Sequence, residues 1–320
     1  MAASEQPRMP FAVPKICFGA APLGDVPGIY GYSVDAEQAM DTVRAIFDGP
    51  EPFLDTSRSY GLGRSEERIG AVIRERGGLP DGFVLSTKLD RDMETGRFDA
   101  ARARRSLEES LSTLGLDRVQ ILHLHDPEYA ADLQEVTRSG GAIDELFKMK
   151  EEGLADAVGL AMGQIGLMSD ILFDWPFDAM ITHNRLTLVN RQADDLVARA
   201  HDQGIAVFNA APHASGVLAK GADANPRYVY QQASEANLEP VRAIEGICAR
   251  YDVPLGAAAL QFSLRERRVA STICGVTRPE RVTQTVAWAN WPIPEEAWEA
   301  LYALPYSVED PEANRTFTPE

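Results

Sequence analysis

Four side chains in a fixed order carry the chemistry open to this chain: Asp55, Tyr60, Lys88 and His125. A lysine buried beside an aspartate keeps both charged, and an ammonium next to a phenol favours the phenolate and so lowers the phenol's pKa. On that basis Tyr60 is expected to serve as a general acid or base near neutral pH. An imidazole close by can orient a carbonyl or hydroxyl oxygen, and proton transfer by a placed side chain is worth ~10²–10⁴ in rate. Taken singly, each residue reads equally well as part of a structural ion pair with a bystander tyrosine and histidine. Four of them at successive strand ends favour function.

The elements that must hold them are visible as short apolar runs alternating with longer amphipathic segments. The runs are KICFGA, PFLDTS, FVLSTK, RVQILHLHD, DAVGLAMG, DAMITHN, IAVFNAA and STICGVT; between them lie segments of helical spacing such as SEERIGAVIRER and AARARRSLEESLSTL. Strands that are nearly all apolar are buried on both faces, so the pattern predicts an α/β fold, a (β/α)8 TIM barrel, as a single barrel domain over residues 1–320. Additions are expected after the first strand (about 22–34), after the seventh (about 211–238) and in a C-terminal tail (about 290–320). A barrel of this kind has its site at the C-terminal ends of the strands. Asp55 ends the second, Lys88 the third and His125 the fourth, and strand alternation turns all three toward the barrel mouth. Tyr60 follows on the loop into the next helix, where Gly61 and Gly63 permit a tight turn.

Composition narrows the partners. With 48 acidic against 31 basic residues the formal net charge is −17, and no Lys/Arg run is dense enough to track phosphates or anionic lipid. Nucleic-acid and membrane partners are therefore not expected. The opening MAASEQPRMP lacks the basic segment and apolar run of a secretion signal, which predicts a cytoplasmic protein. Cys17, Cys248 and Cys274 are odd in number, far apart and set among apolar residues, as buried free thiols would be.

FLDTSRSYGLGRSEERIG, STK, VQILHLHDP and STICGVTRPERV, in this order and spacing, resemble the aldo-keto reductase family from CFGAAPLG to about Ala289. The resemblance implies an NAD(P)-dependent barrel enzyme in which Tyr60 is the acid/base, Asp55 and Lys88 tune it, and His125 positions the reacting oxygen. The LHDPE wording is similar to bacterial aldose 1-dehydrogenases of the fucose/galactose/arabinose type and to pyridoxal 4-dehydrogenases. A sugar or a small aldehyde is the implied substrate, with NADP or NAD as cofactor. It implies a cofactor lying extended across the barrel top, over Gly19, Ala20 and Ala21. Its pyrophosphate is expected at Ala211, Pro212, His213, Ser215 and Gly216, and its adenosine end at Gly275, Val276, Thr277, Arg281, Gln284 and Thr285. GLGRSE is not a Rossmann fingerprint, because Glu66 occupies the third glycine position.

Several positions depart from the family pattern. Ala161 and Met162 stand where a Ser-Asn or Ser-Arg pair usually holds the nicotinamide amide, and His183 where a glutamine usually helps. Ala210 replaces the aromatic that often stacks on the ring, and Phe208 lies one layer lower. Gly275 replaces a lysine of strongly NADP-selective members, while Arg281 is kept. Asp25, Tyr30, Tyr32 and Trp288 are expected to offer a sugar its hydrogen bonds and flat apolar surface. A metal-dependent barrel hydrolase is the rival from another class, on the His123-x-His125 pair with His183 and His213, but it leaves Tyr60 and Lys88 without a role. A cofactor-binding regulatory protein on the same barrel is a third reading.

Overall fold

The computed structural model describes residues 8–313. Seven parallel strands come first: β1 (Ile16–Gly19), β2 (Phe53–Asp55), β3 (Val84–Leu89), β4 (Val119–His125), β5 (Ala155–Ala161), β6 (Ala179–His183) and β7 (Ala206–Ala210). A small antiparallel hairpin, β8 (Arg227–Tyr228) and β9 (Gln231–Gln232), interrupts the next connection, and β10 (Val269–Gly275) then closes the barrel between β7 and β1. Every apolar run in the sequence has become a barrel strand. The fold is a (β/α)8 barrel.

The runs are apolar throughout because both of their faces are covered. Inward residues form one core, with Cys17, Phe53, Val84, Ile121, Phe208 and Ile273 among its members. Outward residues such as Phe18, Leu54, Leu85, Leu122 and Val158 join a larger core beneath the helices. Each such buried side chain contributes about 1.5–3 kcal/mol, which makes this two-layer core the main stabilising feature. Met9, Phe11 and Val13 pack against the inner core ahead of β1. The helices follow the same logic. Ala36–Phe47 starts at Asp35, whose carboxylate accepts from the Gln38 backbone N–H, and buries Ala39, Val43, Ile46 and Phe47.

Strand register sets the heights of the polar side chains. Asp55 pairs with Ser86, Lys88 with His123, His125 with Ala161, and His183 with Ala210. All of these lie at or near the C-terminal ends of their strands, so polar groups collect at one mouth of an otherwise apolar barrel.

The tail packs a helix, Glu295–Tyr302, and then runs beside residues 187–191, with Ser307 N–H donating to Val189 O and Arg191 N–H to Ser307 O. The three cysteines are free and buried. Among the described residues no helix is long and apolar enough to cross a membrane. Residues 1–7 of the N-terminal segment read for a secretion signal, and residues 314–320 of the expected tail, lie outside the described residues.

Candidate active site

Lys88 Nζ sits 2.7 Å from Asp55 Oδ2 and donates a second bond, of 2.6 Å, to Thr56 O. Ser86 Oγ donates to the other Asp55 oxygen at 2.9 Å. Both members of the pair are almost wholly buried, Lys88 at 2% and Asp55 at 3% exposure. Removal of either would strand a charge, so the pair holds only as a unit. Above it, the Lys88 ammonium lies 4.7 Å from the centre of the Tyr60 ring.

The turn that delivers Tyr60 is built by glycine. Gly61 has φ of +61°, and a Cβ there would overlap Gly24 O; a Cβ on Gly24 would in turn meet the Tyr60 backbone at 2.7 Å. Two glycines thus let the β1 loop and the Tyr60 turn touch backbone to backbone.

His125 completes the group, its ring edge-on to Tyr60 at 5.8 Å between centroids. Its Nδ1 donates to Asp90 Oδ1 at 2.6 Å, and Asp90 Oδ2 also accepts from Ser57 Oγ (2.6 Å) and the Ser59 N–H (2.9 Å). Burial by itself lowers the imidazole pKa, but Asp126 and Asp90 overcome it and raise the value above the ordinary one. Burial likewise pushes against the Asp90 carboxylate; the His125 charge and the hydrogen bonds outweigh it and hold Asp90 at about 2.

Tyr60 corrects the expectation of a depressed phenol. Its pKa stands well above the ordinary value, first because the ring is buried, then because Asp55, Asp126 and Asp90 all oppose a second negative charge. The lysine cation does not prevail because its short bonds go to Asp55 and Thr56 and its charge faces the ring.

Asp55, Tyr60, Lys88 and His125 line one cavity of about 810 Å³, within the roughly 300–1,000 Å³ usual for small-molecule and cofactor sites. From Tyr60 and His125 the wall passes Ala161, Met162, His183, Ala210, Ala211, Pro212 and His213. It continues to Ser215, Gly216, Thr277, Arg281, Gln284 and Thr285, and also includes Gly19, Ala21 and Gly275. Ala20 and Val276, expected among the cofactor contacts, do not line the cavity with their side chains. Their side chains belong to the outer core, because alternation along the chain turns them away from the cavity.

Two features of this wall suit an extended anionic cofactor. Ala214 and Ser215 take left-handed backbone ahead of Gly216, a strained bend at the cavity edge. Arg281, half-buried, has no carboxylate partner among the described residues; its guanidinium contacts Gln284 Oε1. Burial lowers its pKa, as expected for a cation that lacks a counter-ion.

Other expectations fare differently. His183 donates from Nε2 to Glu312 of the tail at 2.9 Å, a carboxylate that Arg185 also binds at 2.7 Å. Phe208 is buried against Phe53 and His123, below the cavity. Asp25 spends its carboxylate on the Val34 N–H, and Trp288 lies beside His213 in the far half of the cavity. The His123-x-His125 pair does not converge. His123 is fully buried in the gap left by Gly159, while His125 turns to Asp90.

Residues absent from the sequence reading complete the mouth. Asp126 Oδ2 stands 3.6 Å from His125 Nε2, on a backbone of φ 44° that few non-glycine residues adopt. Glu128 accepts from the Gly163 N–H at 2.8 Å, and burial with the Asp126 charge raises its pKa. Arg91, Tyr129 and Tyr230 also line the cavity. One signal for Asp90 was available: the two-residue period that pairs Ser86 with Lys88 reaches it next. The strand ends at Leu89, so the period alone did not identify it.

Comparison with known proteins agrees with this geometry. A model of the aldo/keto reductase family matches residues 15–304. The chain is 30% identical to D-threo-aldose 1-dehydrogenase of Pseudomonas sp, over 91% of this chain and 93% of that protein. It is 28% identical to pyridoxal 4-dehydrogenase of Microbacterium luteolum, over 92% and 94%. In fold it is similar to the holo form of aldo-keto reductase AKR11C1 from Bacillus halodurans, with a TM-score of 0.73, 19% identity and coverage of 95% and 96%. Barrel, site arrangement and family match coincide over nearly the whole length, and the chain belongs to the aldo/keto reductase family of oxidoreductases.

Proposed function

We propose that this chain is an NAD(P)-dependent oxidoreductase that oxidises the anomeric carbon of an aldose to a lactone, with Tyr60 as acid/base. The observation that carries the proposal is the buried Lys88–Asp55 pair directly beneath Tyr60, beside His125, at one end of the cavity. The similarity to an aldose 1-dehydrogenase and a pyridoxal 4-dehydrogenase supports the substrate class. Held along Ala161, Met162, Ala210, Ser215 and Arg281, a nicotinamide dinucleotide would supply hydride exchange. The protein's own part is to hold the C1 hydroxyl between Tyr60 and His125 Nε2, receive its proton at the ionised Tyr60 oxygen, and exclude water. Tyr30, Tyr129, Tyr230 and Asp126 around the mouth suit a neutral polyhydroxylated ligand.

The raised Tyr60 pKa has a consequence for direction. A phenol that stays neutral is a poor base at pH 7, so sugar oxidation should accelerate as pH rises through one ionisation. The same observation favours a second reading, reduction of a small aldehyde such as pyridoxal, in which the neutral phenol donates to the carbonyl oxygen. The test is NAD and NADP reduction at alkaline pH across aldoses and pyridoxal, with the reverse reaction at neutral pH. Lactone formation from an aldose supports the first reading. Efficient aldehyde reduction with no aldose oxidation refutes it and leaves the second.

A further inference from the structure

Asp90 lies outside the four residues above, yet it makes the shortest polar contact in the His125 environment. Its carboxylate is 2% exposed and fully used: His125 Nδ1–H and Ser57 and Ser59 donate to its oxygens, while its backbone N–H and carbonyl are held by Ser106 Oγ at 2.9 Å and Arg102 Nε at 3.0 Å. A group tied down at five points has one orientation, and so therefore does the ring bonded to it.

The charges around His125 come from every neighbouring element. Asp90 follows β3 and Asp126 follows β4; both are acidic. Lys88 on β3 opposes a positive imidazole, His123 on β4 is held neutral by burial, and Tyr60 presents a neutral ring. The two carboxylates prevail over the one ammonium. Asp126 Oδ2, at 3.6 Å from Nε2, is beyond hydrogen-bond length, so the Nε2–H stays available to a ligand oxygen.

We propose that Asp90 is a positioning residue that locks His125 Nδ1–H to the barrel wall and so holds the ring as an imidazolium with Nε2–H presented to the reacting oxygen. This rests on the reading of His125 given under the proposed function and deepens it. A charged donor stabilises negative charge developing on that oxygen more strongly than a neutral imidazole does. It thereby eases loss of the C1 hydroxyl proton to the Tyr60 phenolate, the form that the surrounding burial and carboxylates keep scarce.

Two measurements on the full chain test this. In the unmutated protein, ¹⁵N spectra of His125 should show both ring nitrogens protonated at pH 7, with a titration midpoint above the ordinary value of about 6.5. A neutral ring at pH 7 overturns the proposal without any variant. In Asp90→Asn the midpoint should fall by one unit or more, a tenfold or greater loss of proton affinity, and an unchanged midpoint in the folded variant overturns it. The same variant should lose at least ~10-fold in kcat with cofactor Kd unchanged, and its kcat/KM profile should shift with the His125 midpoint. If His125→Gln leaves turnover within a few-fold of the parent, the catalytic reading of His125 fails. The spectra still decide the Asp90–His125 coupling, so the two failures are distinguishable.

Discussion

Tyr60 is the residue on which the proposed chemistry turns, and its surroundings separate two effects that the sequence ran together. Proximity to Lys88 is real, at 4.7 Å, but burial and three carboxylates decide the ionisation. Tyr60→Phe removes the proton path and leaves the cavity shape intact. It should cost at least ~10²-fold in kcat with cofactor affinity near that of the parent, as read by steady-state kinetics and a binding titration. Lys88→Met acts differently, because it leaves Asp55 buried without its cation and should destabilise the fold by about 3–5 kcal/mol, measured by urea unfolding. A Lys88→Met protein of parental stability would show that Asp55 is neutralised in some other way.

At the scale of elements, the helix Arg64–Arg76 both follows the Tyr60 turn and carries a buried acid. Glu66, in its first turn, is fully buried, and its carboxylate accepts from Thr87 Oγ1 on β3 at 2.7 Å. Burial raises its pKa to about 7 against the smaller help of Thr87 and Ser110. A carboxyl raised in this way favours folding while protonated. Its stability is fully present below the unfolded pKa of about 4.3 and is lost as pH climbs through about 7. Glu66→Gln keeps the acceptor for Thr87 and cannot ionise. Thermal unfolding should therefore show the variant gaining on the parent by up to about 3 kcal/mol between pH 5 and pH 8.5. A gap that does not grow with pH would mean that Glu66 stays charged in the fold.

For the molecule as a whole, one cavity joins the barrel mouth to the helix Pro279–Ala289, and that length lets a dinucleotide and a substrate share it in the proposed function. Arg281 marks the far end, with Arg278 close by and Gly275 where strongly NADP-selective members carry a lysine. Asp35, Glu37, Asp41 and Glu280 surround an adjoining surface depression together with Arg278, so carboxylates offset the cations at this end. Discrimination between NAD and NADP should be modest or favour NAD. Arg281→Ala should weaken NADP more than NAD, since only NADP offers a phosphate to a guanidinium there. Equal losses in a fluorescence titration would place Arg281 away from the 2′ position.

The barrel was legible in the sequence because its cause is local and repeated. Eight apolar runs separated by amphipathic segments admit few other ways to bury both faces of every strand. The order Asp55, Tyr60, Lys88, His125 was legible too, since strand alternation and strand ends fix which way three of them point. What only the tertiary structure decided was the electrostatic balance among them. Burial, the Asp90 clamp on His125, the strained backbone of Asp126 and the capture of His183 by Glu312 arise from residues distant in sequence meeting at one mouth. Ionisation depends on summed distances and desolvation, which spacing along the chain does not encode, and so the sequence named the groups while the fold set their charge.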